Sequence, residues 1–293
     1  MASPLQTSPR ATDGVLLVDK PAGMTSHDVV LVARRVTGER RIGHGGTLDP
    51  FATGLLVLLL GRATRLLPYV DGEPKVYAAT IRFGAETDTD DPLGRVVRLA
   101  EPPGDDAVAE GIRHLTGELD QLPPAYSAKR IGGRRAYEAA RAGETVTLMP
   151  ARVRVHDWRV LERRGDDLDV QITCGGGTYV RALARDLGRL ASSAAHLSAL
   201  RRVRSGVFEV SDAVPVAELL TGDARVLPPR AALASTPAQS LAAADVARVA
   251  RGMDVSASVD GPRAALVNEA GALVALAERR GDRWQPRVVM HRA

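Results

Sequence analysis

Gly43-His44-Gly45-Gly46-Thr47-Leu48-Asp49-Pro50-Phe51-Ala52-Thr53-Gly54 runs directly into Leu55-Leu56-Val57-Leu58-Leu59-Leu60. Its twelve residues hold four glycines, one histidine and one carboxylate. Glycines at this density let the backbone take φ > 0 or come close to a ligand. Pro50 biases Asp49 away from the α region, toward an extended or turn conformation. The apolar run behind the loop reads as a short buried strand. Together they describe a carboxylate displayed on a tight loop and braced by core.

Around this stretch the 293-residue chain has room for one large domain, or a large one and a small one. Composition is that of a globular protein, with 45% hydrophobic and 25% charged residues. No apolar run approaches a membrane span. Residues 1–13 lack a hydrophobic signal core and read as a disordered lead-in. The single cysteine, Cys174, excludes an intrachain disulfide and a multi-cysteine metal site, and fits a reducing cytoplasm. Net charge is +4, which allows a polyanionic partner without demanding one. Of the 39 basic residues 36 are arginine. Lys20, Lys75 and Lys129 are therefore the places where a compact ammonium stands in place of a planar fork.

Residues 14–20 read as a buried strand ending at Lys20-Pro21. Ser26 is then a suitable N-cap for a helix with Val29, Val30, Ala33 and Val36 inward, ended by Gly38. Lys75 to Phe83 alternates as a strand with Tyr77, Ala79, Ile81 and Phe83 on one side. The acidic stretch 84–94 lacks the order of ligands of a calcium loop and reads as a solvated surface loop. A helix is expected over 105–117, strands over 151–161 and 167–174, and a short helix around 137–141. A second glycine cluster, Gly175-Gly176-Gly177, precedes Thr178 as N-cap of a helix to Leu190. On that helix Arg181, Arg185 and Arg189 form a basic stripe. Leu197 to Val210 reads as a strand pair carrying Arg201, Arg202 and Arg204. The last 55 or so residues, with short strands between glycine-rich turns, suggest a small separate β domain.

Motifs for a phosphate loop, an HExxH zinc site and a GxSxG nucleophile are absent, and the six histidines lack metal-ligand spacing. The Asp49 loop presents a carboxylate, which suits an electrophile or a proton better than a phosphate. A buried carboxylate needs a partner to stay ionised, and by type Arg181 is the best candidate.

Gly43-His44-Gly45-Gly46-Thr47-Leu48-Asp49-Pro50 resembles the catalytic-aspartate motif of the TruB family of tRNA pseudouridine-55 synthases. Five further segments match in the same order: 18–26, Lys75-Val76-Tyr77, 123–129, Gly177-Thr178-Tyr179-Val180-Arg181, and 200–206. The match covers about residues 14–210, and all three lysines fall inside it. Many relatives have threonine where Gly45 stands, but no proposed catalytic group is lost.

The resemblance implies a mixed α/β (α+β) catalytic domain over 14–236, built on a curved, mainly antiparallel sheet with the active site in a cleft across it. It also implies a basic RNA-binding arm at about 124–150 and a β-rich, PUA-like RNA-binding domain over 237–293. The reaction it implies is isomerisation of uridine to pseudouridine at position 55 in the T arm of tRNA, with no cofactor and no metal, and the roles that follow are those the matching positions imply. Asp49 is the essential carboxylate, acting as nucleophile at C1′ or as base for a glycal route. His44 fills the space left by the flipped base. Tyr77 stacks on that base and helps remove the C5 proton, and Arg181 pairs with Asp49. Tyr179 and Leu200 shape the uracil pocket, Lys20 supports the site floor, and Lys129 contacts phosphate. A cytoplasmic, stand-alone monomer without obligatory protein partner or membrane contact is expected. A guide-dependent synthase of the related branch has the same catalytic motifs, and a tRNA-folding chaperone without catalysis is the other alternative, against which the intact Asp49 argues.

Overall fold

The computed structural model describes residues 13–124, 130–131, 134–135, 149–222 and 225–290. The fold is mixed α+β. Its contacts divide the chain into two compact units. The first takes residues up to Asp49, Leu55–Gly72 and everything from Val207 on; the second takes Pro50–Gly54 and Glu73–Gly206. The chain therefore leaves the first unit immediately after Asp49 and returns to it at Leu55.

In the first unit the expected strand Gly14–Lys20 is present and almost wholly buried. It pairs in parallel with Val214–Pro215, and on its other side lies the strand Thr53–Leu60. That strand pairs antiparallel with Ile42–His44, which sets His44 opposite Leu58. Leu55 to Leu60 are all buried, as a continuous apolar run with core on both faces requires. The helix Ser26–Thr37 buries Val29, Val30 and Ala33 and ends at Gly38, whose φ of 69° is left-handed. Five more strands form a C-terminal sheet, including Arg263–Asn268, Leu273–Arg280 and Arg283–Val289, with the helix Ala243–Ala250 packed on it. Ala265, Leu273, Leu276 and Val288 of this sheet, and Met290 just after it, share one core with Val15, Leu17, Leu55, Val57 and Leu59.

In the second unit the strand Lys75–Phe83 lies between Asp167–Cys174 and Ala195–Ser205, antiparallel to both. Ala151–Arg164 and Gly117–Gln121 extend the sheet. The residues Leu197 to Val210, read as a strand pair, do hold two strands, the bulged Ala195–Ser205 of this unit and the short Phe208–Glu209, which is counted with the first unit. Tyr77, Ala79, Ile81 and Phe83 are buried, as their alternation implied. The helix Val180–Leu190 buries Val180, Leu183, Ala184 and Leu187. Among the described residues, no helix is long and apolar enough to cross a membrane.

Candidate active site

The Asp49 loop is built from its neighbours in the first unit. Lys20 ends its strand fully buried, and its ammonium donates to the carbonyl oxygens of Pro21 at 2.9 Å and Met24 at 2.7 Å. These bonds close the turn that leads into the helix. Thr25, not Ser26, caps that helix. The Thr25 hydroxyl accepts from the Asp28 N–H at 3.1 Å while the Asp28 carboxylate accepts from the Thr25 N–H at 2.8 Å. The Thr25 hydrogen bonds hold the Asp28 carboxyl below its ordinary range. Ser26 instead reaches the glycine loop: its hydroxyl accepts from the Leu48 N–H at 2.9 Å and donates to the Leu48 carbonyl at 3.2 Å. The start of the loop is tied to core by the Gly45 N–H donating to the Val57 carbonyl at 2.9 Å. His44 and Asp49 are half-buried, and Leu48 between them is buried.

Tyr77, Leu200, Tyr179 and Arg181 lie in the second unit. Tyr77 pairs across the sheet with Ile172 on one side and Arg202 on the other, and Leu200 pairs with Ala79. Directly opposed residues share a face, so Tyr77, Leu200 and the fully buried Arg202 stand on the same side of the sheet. Lys75 is on that face too. Burial, and then the charge of Arg202, push its ammonium below the usual lysine range. Gly54 shows why this part of the sheet tolerates no side chain. It has φ of 101°, and a Cβ there would stand 2.3 Å from the Arg202 carbonyl oxygen.

The helix is capped by Tyr179 rather than Thr178. Tyr179 is held by Gln121, whose side-chain amide donates to the Tyr179 carbonyl at 3.1 Å and accepts from its N–H at 2.8 Å. Of the arginine stripe that follows, Arg181 and Arg185 are buried and Arg189 is exposed, and the acidic stretch 84–94 is not the solvated loop its composition suggested. Asp90 and Asp91 are buried. Arg181 donates to the Thr89 carbonyl at 2.7 Å and lies 3.5 Å from Asp91. Arg185 donates to Asp90 at 3.0 Å and to the Leu122 carbonyl at 2.9 Å, and Arg189 bonds Glu86. Burial pushes Asp90 up to about 6 in spite of Arg185 and Arg181. For Glu86 burial also pushes upward, but Arg189 and Arg98 more than offset it and hold the carboxyl low.

Lys20, His44 and Asp49 thus belong to one unit, and Tyr77, Tyr179, Arg181 and Leu200 to the other. Lys129 and most of the proposed arm lie outside the described residues, as does the expected helix at 137–141. Ser26, Gln121, Arg202 and the acids facing the arginine helix are contributors that sequence reasoning missed. One signal for the last was present. Three arginines at four-residue spacing on an apolar helix need acids nearby, and 84–94 is the acid-rich stretch of this unit. Among the described residues, no group of three or more His, Cys, Asp or Glu side chains is placed to hold a metal ion.

The sequence model described as "TruB family pseudouridylate synthase (N terminal domain)" matches residues 34–180, which hold Asp49, Tyr77 and Tyr179. A Thermobifida fusca (strain YX) protein named tRNA pseudouridine synthase B is 46% identical over 288 residues, covering 94% of this chain and 98% of the relative. One of that name from Leifsonia xyli subsp. xyli (strain CTCB07) is 44% identical, covering 92% and 93%. The chain belongs to the TruB family of pseudouridylate synthases. The TruB assignment is consistent with the fold. The structure described as a Cbf5-Nop10-Gar1 complex superposes with a TM-score of 0.71 at 24% identity, covering 95% of this chain and 85% of that one. The archaeal box H/ACA sRNP Nop10-Cbf5 complex gives the same TM-score at 23% identity, covering 97% and 88%. At that identity the likeness speaks for the fold of a TruB chain and not for its partners.

Proposed function

We propose that the protein isomerises uridine to pseudouridine at position 55 in the T arm of tRNA, with Asp49 as the essential carboxylate. The observation that carries this reading is 46% identity, over nearly the whole of both chains, to a protein named tRNA pseudouridine synthase B. The bond from C1′ to N1 of uracil breaks, the ring turns, and C5 bonds to C1′. The proton leaving C5 balances the one N1 gains, so substrate and product are isomers. A stacked T-arm uridine is out of reach, and flipping is required before any of this.

In this reading Asp49 attacks C1′ or removes the proton that opens the glycal route, and Arg181 is the cation that keeps it ionised. His44 fills the gap in the stack. Tyr77 lies against the flipped base and serves the C5 proton, while Leu200 and Tyr179 close the pocket. Lys20 supports the turn behind the Asp49 loop, and Lys129 meets the phosphate backbone. Residues 237–293 are the PUA-like RNA-binding part, and the cytoplasm is the compartment the reading implies.

The test is pseudouridine mapping on an unmodified tRNA transcript, with purified protein and no guide RNA or second protein. The parent should convert position 55. Asp49→Asn and Asp49→Ala should bind the transcript normally and convert nothing. Near-parental turnover in either variant would sink the assignment of Asp49. A requirement for guide or partner would favour the guide-dependent reading, and tRNA refolding without conversion the chaperone reading.

A further inference from the structure

The Ser26 hydroxyl is not needed by the helix that begins with it. Thr25 and Asp28 already serve the helix N-terminus, each bonding the other's backbone. Ser26 is nevertheless buried, and its hydroxyl is used in both senses, as acceptor and as donor, on Leu48. The bond to the Leu48 carbonyl has the larger consequence. The Leu48–Asp49 peptide is a rigid plane, so holding its oxygen also fixes the Asp49 N–H and the axis about which Asp49 rotates. On the other side Pro50 biases Asp49 away from the α region. Asp49 is held from both sides, on a loop whose Gly45 and Gly46 restrain it little.

We propose that Ser26 is a positioning residue for Asp49: its hydroxyl sets the Leu48–Asp49 peptide plane and with it the direction in which the carboxylate meets the uridine. The inference rests on the reading of Asp49 as the catalytic carboxylate. Ser26 touches no substrate. Its effect passes through one peptide, so it should appear in the chemical step and leave tRNA binding alone.

The experiment is single-turnover pseudouridine formation and tRNA binding for Ser26→Ala, Ser26→Cys, Thr25→Ala and Asp49→Asn in the full chain. Displacements approaching 1 Å cost about 100-fold, so Ser26→Ala should slow the step roughly 10- to 100-fold with tRNA Kd within about threefold of the parent. Ser26→Cys is nearly isosteric but a weak donor and acceptor, and should fall between parent and alanine. Thr25→Ala breaks the cap of the same helix; it should lower the melting temperature and keep the parental rate. A parental rate in Ser26→Ala overturns the inference, as does an equal loss in Thr25→Ala. If the alanine variant does not fold, a parental rate in Ser26→Cys overturns it instead. Turnover in Asp49→Asn fails the functional reading itself, whereas a dead Asp49→Asn beside a parental Ser26→Ala fails only the role of Ser26.

Discussion

At the scale of single residues, backbone geometry and side-chain chemistry make separable predictions. Gly54 combines φ of 101° with the Arg202 carbonyl oxygen 2.3 Å from where a Cβ would stand. Gly54→Ala should lose about 2–4 kcal/mol, from left-handed strain and from overpacking against backbone that cannot yield. Urea unfolding followed by Trp158, which is buried in the same unit, measures this; a loss under about 1 kcal/mol would mean the strands separate at little cost. Tyr77→Phe is the complementary case. The ring stays in place on the sheet face and only the hydroxyl goes. Pseudouridine formation should fall roughly 100-fold, within the range of a lost proton-transfer group, with tRNA affinity kept. A fall in affinity alone would reduce Tyr77 to a stacking platform.

At the scale of elements, the helix Val180–Leu190 packs its arginines on buried carboxyls as well as burying its apolar face, and the burial of Asp90 has a pH signature. Asp90 in the folded chain titrates near 6, against an ordinary value of 3.8, because burial outweighs Arg185 and Arg181. Between these values the folded state holds a proton that the unfolded chain has released. The favourable contribution is therefore complete below about pH 4 and lost as pH rises through about 6. Asp90→Asn cannot titrate. Relative to that variant the parent should lose up to roughly 3 kcal/mol of stability from pH 4 to pH 7, two pKa units' worth. Urea denaturation of both proteins across that range checks it, and a slope of the opposite sign would show that Arg185 dominates. Sequence patterns served this element unevenly. Its helical span was legible from Val180, Leu183 and Leu187, and the strand Lys75–Phe83 from strict alternation. The caps were misplaced by one residue at both Thr25 and Tyr179. Adjacent hydroxyl or glycine-flanked positions look alike until it is known which side chain is called elsewhere, as Ser26 is by Leu48. The buried acids at 90 and 91 could be reached only through the arginine spacing of the facing helix, because composition by itself reports polarity and not what faces it. Arg202 was one of three arginines in a row of similar residues, and only the strand register singles it out. The carboxylate loop, by contrast, was legible from its glycines and Pro50. The residues proposed to act with it came from resemblance, since no local pattern links Asp49 to Tyr77, Tyr179 or Arg181.

At the scale of the molecule, the C-terminal strands and the N-terminal strands of the first unit depend on one another. Leu276 is fully buried in the core that also holds Val15, Leu17, Leu55, Val57 and Leu59. Arg65, on the segment after Thr53–Leu60, donates to the Val289 carbonyl at 3.0 Å, and Arg263 lies 5.0 Å over the Tyr69 ring. A cavity opened at Leu276 removes contacts from both sets of strands together. Leu276→Ala should cost about 2–5 kcal/mol, the range for emptying a buried leucine site. The loss should be felt beyond the sheet that carries the substitution. Trp284, buried in that sheet, reports its unfolding by fluorescence, and amide exchange reports the strands Gly14–Lys20 and Thr53–Leu60. The expected outcome is that exchange in those N-terminal strands accelerates in step with the Trp284 transition, since elements sharing a core open as one cooperative unit. Unchanged protection in Gly14–Lys20 alongside an early Trp284 transition would show that the C-terminal sheet opens alone. The support behind the Asp49 loop would then be independent of the last 55 residues.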